Sequence, residues 1–498
     1  MKDRAGAIFG NRIDKKAYRT AVKFQRKYIC AFGDDSDADY KVTVMDNPNI
    51  GELLGVKNVL VGDVKKNDHY NPKDKNTYEF DRKNGILIGS VRMDEGSFRI
   101  PLAIASAAHA MGYVPYWMDF NSYNQTTCTK VIGAQREIYR MGLAMSHRRF
   151  FGKKVWEPMN DAGRRSLDCA VMNQMNTELM LPVCRNIPKD IPMIGTHVWT
   201  AQTAVHAGMK YVVNAIADSR PMAFHLAEGA VHTVSCRSSY MGYRTLDGMM
   251  GEVVCSPMPK ESLCYAGHYI DHEIAVNIDT DCEARIARQV QGQPVRLLLC
   301  IRSLREQKSV CVAILRHLLP LIQKNKVALY LDIGDLHNSW KVLVRAIPEL
   351  EKYAQLHFDS FKGTSVFCAQ VLQASERVRG IHVFCHRNPF EAAYCTGLLM
   401  RSCDVLITCP DELAFYPVPK LLLKSLEPSQ AWTAVHAAEM GDATIECTDI
   451  GHTLSMLDLL LKDGSIRNNM CRNIMENRNI GLYDGAYRAV ELAMGLRK

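Results

Sequence analysis

The feature that most constrains this chain is an alternation of short apolar runs, each of strand length, with segments of helical composition, in two separate series. In the first series, 86–91 and 114–120 read as strands around a helical segment, 100–112, that ends on glycine. The pattern repeats as strand 192–198, helix 200–207 and strand 211–216, and a further strand follows at 232–236. After a helical stretch at 281–291, the second series runs strand 295–301, helix 309–323, strands 327–333 and 381–385, helix 389–401 and strand 404–409. It closes with a helix at 430–440, a strand at 443–447 and helical sequence to the end. Parallel strands joined by helical crossovers bury both faces of their sheet. The expected architecture is therefore α/β, with two tandem Rossmann-like, doubly wound domains facing a cleft. A length of 498 residues suits two or three domains, and 47% hydrophobic residues with only 19 prolines suits a globular chain.

On this reading residues 1–80 are an N-terminal extension, 81–288 the first Rossmann-like domain, 289–475 the second, and 476–498 a helix packing back on the first, with the two domains split near 285–292. The formal charge of +8 is concentrated at one end. Residues 1–30 hold nine Lys/Arg against Asp3 and Asp14, a net of +7, while the other 468 residues carry +1. An enzyme of nucleic acid spreads positive charge along its groove, so nucleic acid is not an expected partner. Positions 14–29 form an amphipathic helical pattern, with Lys15, Arg19, Lys23 and Lys27 on one face and Tyr18, Val22 and Ile29 turned away. The ordinary reading of that pattern is a solvated helix docked on its own protein; the functional one is contact with an anionic membrane surface or an acidic partner. Residues 31–80 are polar, with an acidic cluster at Asp34, Asp35, Asp37 and Asp39. Seventeen cysteines without a C-x-x-C pair read as reduced, packed thiols. No apolar run approaches the ~18 residues of a membrane span and no signal-like segment opens the chain, so the expectation is a cytoplasmic protein, peripheral at a membrane at most.

Ligands of open parallel sheets bind beyond the carboxyl ends of the strands, which directs attention to the loops after Val91, Val198, Ile301 and Cys409. The first, Gly89-Ser90-Val91-Arg92-Met93-Asp94-Glu95-Gly96-Ser97-Phe98-Arg99 leading into Ala103-Ile104-Ala105, resembles the first loop and helix of GT-B glycosyltransferases. The nearest group is that of the monogalactosyldiacylglycerol synthases and the peptidoglycan N-acetylglucosaminyltransferase. Thr196-His197, followed by Asp218 and His225, is similar to that group's acceptor side. Asp404-Val405-Leu406-Ile407-Thr408, with Glu412-Leu413 and Pro417-Val418-Pro419, is similar to its donor-nucleotide segment. The resemblance implies transfer of a sugar from a nucleotide-sugar donor, held by the second domain, to a lipid or glycan acceptor held by the first. It implies no cofactor and no metal, because helix N-termini and backbone N–H groups offset the diphosphate charge. Asp218, Ser97 and His197 are then the candidate catalytic residues, and Gly96, Arg302, Ser303 and Glu412 the candidate nucleotide-sugar contacts. Glu412 would accept from ribose hydroxyls, or else simply favour a helix start.

Three departures from that group bear on activity. Gly96-Ser97 stands where the group carries Gly-His, and serine is not a base near neutral pH. The loop Arg302-Ser303-Leu304-Arg305-Glu306-Gln307 lacks the glycines that let backbone approach phosphate. Glu427-Pro428-Ser429-Gln430 lacks the usual histidine or glycine. A catalytically inactive binding or regulatory protein is thus the main alternative, and a nucleotide-sugar epimerase-type enzyme the third. His268-x-x-Asp271-His272-Glu273 has metal-like spacing but a loop context. Of the Asp-x-Asp pairs, Asp35/Asp37 falls in the extension and Asp281 of Asp279/Asp281 reads as a helix cap. His225, Glu228 and His232 read equally as cleft-lining or structural residues.

Overall fold

The computed structural model describes residues 6–93, 96–146, 162–334, 336–373, 377–426 and 430–497. Asp94 and Glu95 of the first loop, Glu427-Pro428-Ser429, and Lys2 and Arg4 of the basic N-terminus lie outside the described residues. The chain divides into two compact units, Met1–Tyr269 with Gly485–Lys498, and Ile270–Asp484.

In the first unit, α1 (Lys15–Phe32), β1 (Val42–Asp46) and β2 (Lys57–Val61) precede β3 (Gly85–Ser90), α2 (Arg99–Ala110), β4 (Val114–Asp119), α3 (Thr127–Ser146) and α4 (Leu167–Glu178). Then come β5 (Met193–Gly195), α5 (Val198–His206), β6 (Val212–Ile216), β7 (Val231–Val234), α6 (Arg237–Thr245) and β8 (Leu263–Tyr265). Among the described residues the strands form an eight-stranded sheet in the order β8-β7-β6-β5-β3-β4-β2-β1. Every pairing is parallel except β1 with β2. β3 is buried along its whole length, as its near-continuous apolar sequence requires of a central strand.

The polar segment before residue 80 is not an extension, because β1 and β2 belong to the sheet. Buried asparagines make this compatible with its composition. Asn67 donates to the Val61 carbonyl (3.1 Å) and accepts from the Val61 N–H (3.1 Å), and Asn47 donates to Asn58 at 2.9 Å. These side chains replace the ladder bonds that the polar turns cannot supply. Helix α1 lays Ala17, Tyr18, Ala21 and Tyr28 against its own unit, with Gln25 donating to the Met175 carbonyl and Gln135 to the Tyr28 hydroxyl. Lys15, Lys16, Arg19, Lys23, Arg26 and Lys27 remain on its exposed side.

The second unit contains α7 (Ile278–Val290), β9 (Val295–Cys300), α8 (Leu304–Gln323), β10 (Val327–Asp332), α9 (His337–Ala346), β11 (Ala354–Phe358), α10 (Phe361–Val371), β12 (Ile381–Cys385), α11 (Pro389–Ser402), β13 (Val405–Thr408) and β14 (Lys420–Leu422). Helices α12 (Gln430–Glu439), α13 (Ile450–Lys462) and α14 (Gly464–Asn479) follow. Its six strands, in the order β11-β12-β10-β9-β13-β14, are all parallel. Leu297, Leu299, Leu329, Leu331, Val383 and Ile407 build its core with α8 and α9. The division falls after Tyr269 rather than near 285–292, since α7 is anchored in the second unit. Arg285 donates to the carbonyls of Cys403 (2.9 Å) and Met400 (2.9 Å), and Arg288 pairs with Asp404 at 2.7 Å. Asp281 is likewise an ion-pair partner inside the first turn, bonded to Arg401 at 3.1 Å, and not a cap. The expected strand at 443–447 is absent; the edge strand is β14, and Ala443 forms only an isolated bridge to Lys420. Helix α15 (Gly485–Gly495) belongs to the first unit, where it packs on α2. Gly485 is required there, as a Cβ would stand 2.2 Å from the Gly267 carbonyl oxygen.

Candidate functional site

Among the described residues each sheet has one place where adjacent strands lead the chain away from each other: between β3 and β5 in the first unit, and between β9 and β13 in the second. Loops diverge at such a point and leave a crevice at the carboxyl edge.

In the first unit, paired glycines prepare that point. Gly89 and Gly195 are register partners on β3 and β5, and a Cβ on either would meet Thr200, at 2.8 Å and 2.7 Å respectively. Their absence of side chain lets α5 start directly against the sheet, with Thr196 and Thr200 both donating to the Gly89 carbonyl. His197 caps α5, its Nδ1 accepting the Trp199 N–H at 3.3 Å. Burial, then the neighbouring basic side chains of His225 and Arg164, push its pKa down to about 3, with Asp218 opposing, so the imidazole is neutral near pH 7.

Asp218 follows β6. Its Oδ2 lies 2.9 Å from His225 Nε2, and His225 Nδ1 lies 2.8 Å from the Tyr243 hydroxyl, which accepts the Met222 N–H at 3.2 Å. Because the carboxylate only accepts, His225 Nε2–H donates to Asp218, and the ring bridges the acid to the Tyr243 hydroxyl. Desolvation would raise the Asp218 pKa, but the His225 contact, with help from Arg164, holds it down to about 2. The carboxylate side chain is 45% exposed, so this ionised, oriented group keeps a face toward solvent. Arg164 stacks on Phe224, 4.8 Å from the ring centre, and Phe224 meets His197 edge-on at 5.6 Å. Ser97 stands on the β3 loop, in the turn Gly96–Phe98, where its hydroxyl accepts the Met93 N–H at 3.2 Å.

The structure thus gathers His197 and Asp218 into one electrostatic cluster and gives Ser97 and Gly96 a place in the flanking loop. Sequence reasoning missed Arg164 and Tyr243, which no motif marks. It also missed Asp119, the last residue of β4, whose carboxylate is 2.8 Å from His69; an acid closing an apolar strand was the available signal. His232 and Glu228 are structural. The His232 ring accepts the Ala227 N–H and donates to the Ser262 carbonyl, and Glu228 accepts the Phe9 N–H. In the metal-like motif, His268 is buried in the first unit, whereas Asp271, in the second, accepts from the Tyr416 hydroxyl at 2.8 Å.

In the second unit, Arg302, Ser303 and Glu412 do lie together at the β9/β13 crevice, but two unforeseen residues organise them. Asp411 takes Arg302 Nε at 3.0 Å and caps the turn Glu412–Phe415 through the Leu413 N–H, while Glu412 stands 4.0 Å from the same guanidinium with 32% of its side chain exposed. The Gln307 Oε1 accepts the backbone N–H groups of both Arg302 (3.0 Å) and Ser303 (2.9 Å), and its amide donates to Cys409 Sγ at 3.1 Å. Gln307 thus occupies the two backbone N–H groups that immediately precede α8.

Two family models match the chain. Residues 7–245 match Domain of unknown function (DUF6937), and residues 258–494 match Domain of unknown function (DUF6938). No curated protein matches the sequence. Among solved structures, the chain is similar to a UDP-GlcNAc 2-epimerase from Neisseria meningitidis, with 11% identity and a TM-score of 0.42 over 82% of this chain and 98% of that one. It is also similar to an α,α-trehalose 6-phosphate synthase from Burkholderia multivorans (10%, TM-score 0.40, 83% and 98%) and to a glycosyltransferase from Rickettsia africae (9%, TM-score 0.41, 84% and 99%).

Proposed function

We propose that the protein is glycosyltransferase-like and handles a nucleotide sugar, with acceptor chemistry at Asp218 in the first unit and nucleotide contacts at the β9/β13 crevice of the second. The observation that supports this most is the Tyr243–His225–Asp218 relay, which presents an oriented, ionised carboxylate at the carboxyl edge of the sheet. A carboxylate held near 2 is a weak base toward a free hydroxyl. Late in glycosyl transfer, however, the attacking oxygen becomes strongly acidic as it bonds the anomeric carbon, and such a carboxylate then accepts its proton. Before that step it orients the hydroxyl by a charge-assisted hydrogen bond.

A second reading, a binding protein without turnover, is favoured by one observation: Gln307 fills the two amides at the start of α8 and Asp411 neutralises Arg302. Titration calorimetry with UDP and UDP-GlcNAc, paired with donor-hydrolysis and transfer assays on wild type and Asp218→Asn, separates the two. Binding with turnover that falls about 10²-fold or more in Asp218→Asn supports the enzyme. Binding without turnover supports the second reading, and no binding of either compound refutes both.

The finer form of the proposal adds an acceptor in, or at, an anionic membrane, reached through the exposed cations of α1. Six Lys/Arg side chains line that face with no acid in the helix, and Phe24 among them is 41% exposed. Each contributes ~1 kcal/mol near an anionic surface. Sedimentation with phosphatidylserine-containing vesicles should carry down wild type but not Lys15→Glu/Arg19→Glu/Lys23→Glu; equal sedimentation of the two rejects this part alone.

A further inference from the structure

In the second unit, two strands from the opposite half of the sheet place three chemically complementary side chains together. β11 and β12 are parallel neighbours with Phe358 and Cys385 in register at their ends, so Asp359 follows one residue beyond the β11 residue that faces Cys385. The Asp359 N–H donates to the Cys385 carbonyl at 2.8 Å, which fixes the two loops to each other. His337, the first residue of α9, reaches both: its Nδ1 is 3.2 Å from Cys385 Sγ and its Nε2 is 3.0 Å from Asp359 Oδ2. Asp359 is further held by the Arg387 N–H at 2.9 Å and the Arg387 guanidinium at 3.2 Å.

The bonding order decides the protonation pattern. Asp359 accepts only, so the neutral imidazole carries its proton on Nε2 and turns the lone pair of Nδ1 toward the sulfur. The thiol faces that lone pair at 3.2 Å, the geometry in which passing its proton to Nδ1 would leave a thiolate beside an imidazolium held by the carboxylate. This is the arrangement by which a base and an orienting acid activate a nucleophile. Many other thiols of the chain have the reverse environment: burial without a base raises Cys184, Cys311, Cys368 and Cys403 each to about 12. The sulfur also lies at a defined depth. Cys385 is fully buried, while the His337 and Asp359 side chains beside it are 25% and 38% exposed, so only a reagent small enough to pass between packed side chains can meet the sulfur.

We propose that Cys385, His337 and Asp359 form a thiol-activating triad whose nucleophile reduces a small hydroperoxide. The thiolate attacks the outer peroxide oxygen, the S–O bond forms as the O–O bond breaks, and sulfur is oxidised to the sulfenic acid. The departing oxygen takes the proton held on His337 Nδ1 and leaves as water or alcohol, so the peroxide is the reduced partner and no other reagent is consumed.

The test treats the full chain with hydrogen peroxide, traps sulfenic acid with dimedone and reads each cysteine by peptide mass spectrometry, with the exposed Cys30 as internal reference. At pH 7, Cys385 should be trapped at least about tenfold faster than Cys30, with a rate nearly level from pH 6 to 8. An unassisted thiol instead gains about tenfold per pH unit below its own pKa. His337→Ala should slow Cys385 about tenfold or more and leave Cys30 unchanged, and Asp359→Asn should slow it less. A Cys385 rate no greater than that of Cys30, or one unchanged in folded His337→Ala, overturns the proposal. If His337→Ala does not fold, the wild-type pH profile decides: a Cys385 rate climbing in parallel with that of Cys30 is equally fatal.

Discussion

Replacing Gln307 probes the donor side directly, because one side chain there serves stability and blocks a ligand at once. In the native protein Gln307 is buried, and its Oε1 accepts two backbone N–H groups at 3.0 and 2.9 Å. Each such bond contributes ~1 kcal/mol net, so Gln307→Ala should destabilise the protein by about 2 kcal/mol. For a unit of this size that corresponds to a fall in melting temperature of roughly 4 to 8 °C. The same change exposes two aligned donors at the start of a twenty-residue helix. A phosphate bound to both gains charge-assisted bonds of about 1.5 kcal/mol or more each, and affinity for UDP should rise at least about tenfold. Gln307→Glu is the matched control: its carboxylate accepts the same two N–H groups but repels phosphate, so it should keep most of the stability and bind UDP more weakly than wild type. Differential scanning calorimetry and isothermal titration on the three proteins measure both effects. A less stable Gln307→Ala protein whose UDP affinity is unchanged or lower would show that the crevice at the start of α8 is not where a nucleotide diphosphate binds.

Acid should unfold the protein from an unusually high pH. Burial, helped by a neighbouring basic side chain in each case, lowers His197 to about 3 and His232 and His382 to about 4, against roughly 6.5 in an unfolded chain. Folded values below unfolded ones mean that this stability is complete above about pH 6.5 and is lost as pH falls toward 4, on the order of 3 kcal/mol for His232 alone; a melting temperature constant from pH 7.5 to 4.5 refutes the assignment. Gly195→Ala would set a Cβ 2.7 Å from the backbone nitrogen of Ala201 and should cost about 1 to 3 kcal/mol, whereas Gly133→Ala in α3, with open space around it, should be neutral or stabilising in chemical denaturation. Lys420→Met strands the buried Asp442, now paired with Lys420 at 2.7 Å, and should cost roughly 3 to 5 kcal/mol, most of which Lys420→Met/Asp442→Leu recovers; equal loss in single and double variants contradicts that reading.

The α/β fold was legible because central parallel strands announce themselves. β3, β9, β10 and β13 are buried on both faces, so selection for apolar residues at every position leaves runs that periodicity cannot disguise. The strands that escaped notice are those whose polar atoms are satisfied by side chains or by solvent. β1 and β2 were hidden among asparagines that turn out to be buried and bonded to backbone, and β14 begins on a lysine whose charge is neutralised by Asp442. β11 is an edge strand with Gln355 and Leu356 exposed, so it lacks the two-sided apolar signature. A sequence records the polarity of a residue but not the partner that removes its cost, and β1, β2 and β14 are instances of that difference, whereas β8, an apolar edge strand of only Leu263–Tyr265, was missed for its shortness.

The sites divide along the same line. Topology directed attention to the loops at the strand ends, and the resemblance picked the residues within them; Asp218, His197, Arg302, Ser303 and Glu412 lie at one of the two points where the loops diverge or at the strand beside it. What such reasoning leaves open is which residues use each other. Arg302 reads as a phosphate ligand until Asp411 is seen 3.0 Å from its Nε, and Gln307 reads as an ordinary helix residue until its amide is seen across two backbone donors. Both contacts satisfy groups that a ligand would otherwise satisfy, so the two crevices differ in kind. The first presents an ionised carboxylate with a solvent-facing side, while in the second Gln307 and Asp411 already occupy the Arg302 and Ser303 amides and the Arg302 guanidinium. If the proposed function holds, a nucleotide entering the second crevice must displace Gln307 and compete with Asp411, and donor affinity, rather than the acceptor-side base, is then the quantity that decides between a slow enzyme and a protein that only binds.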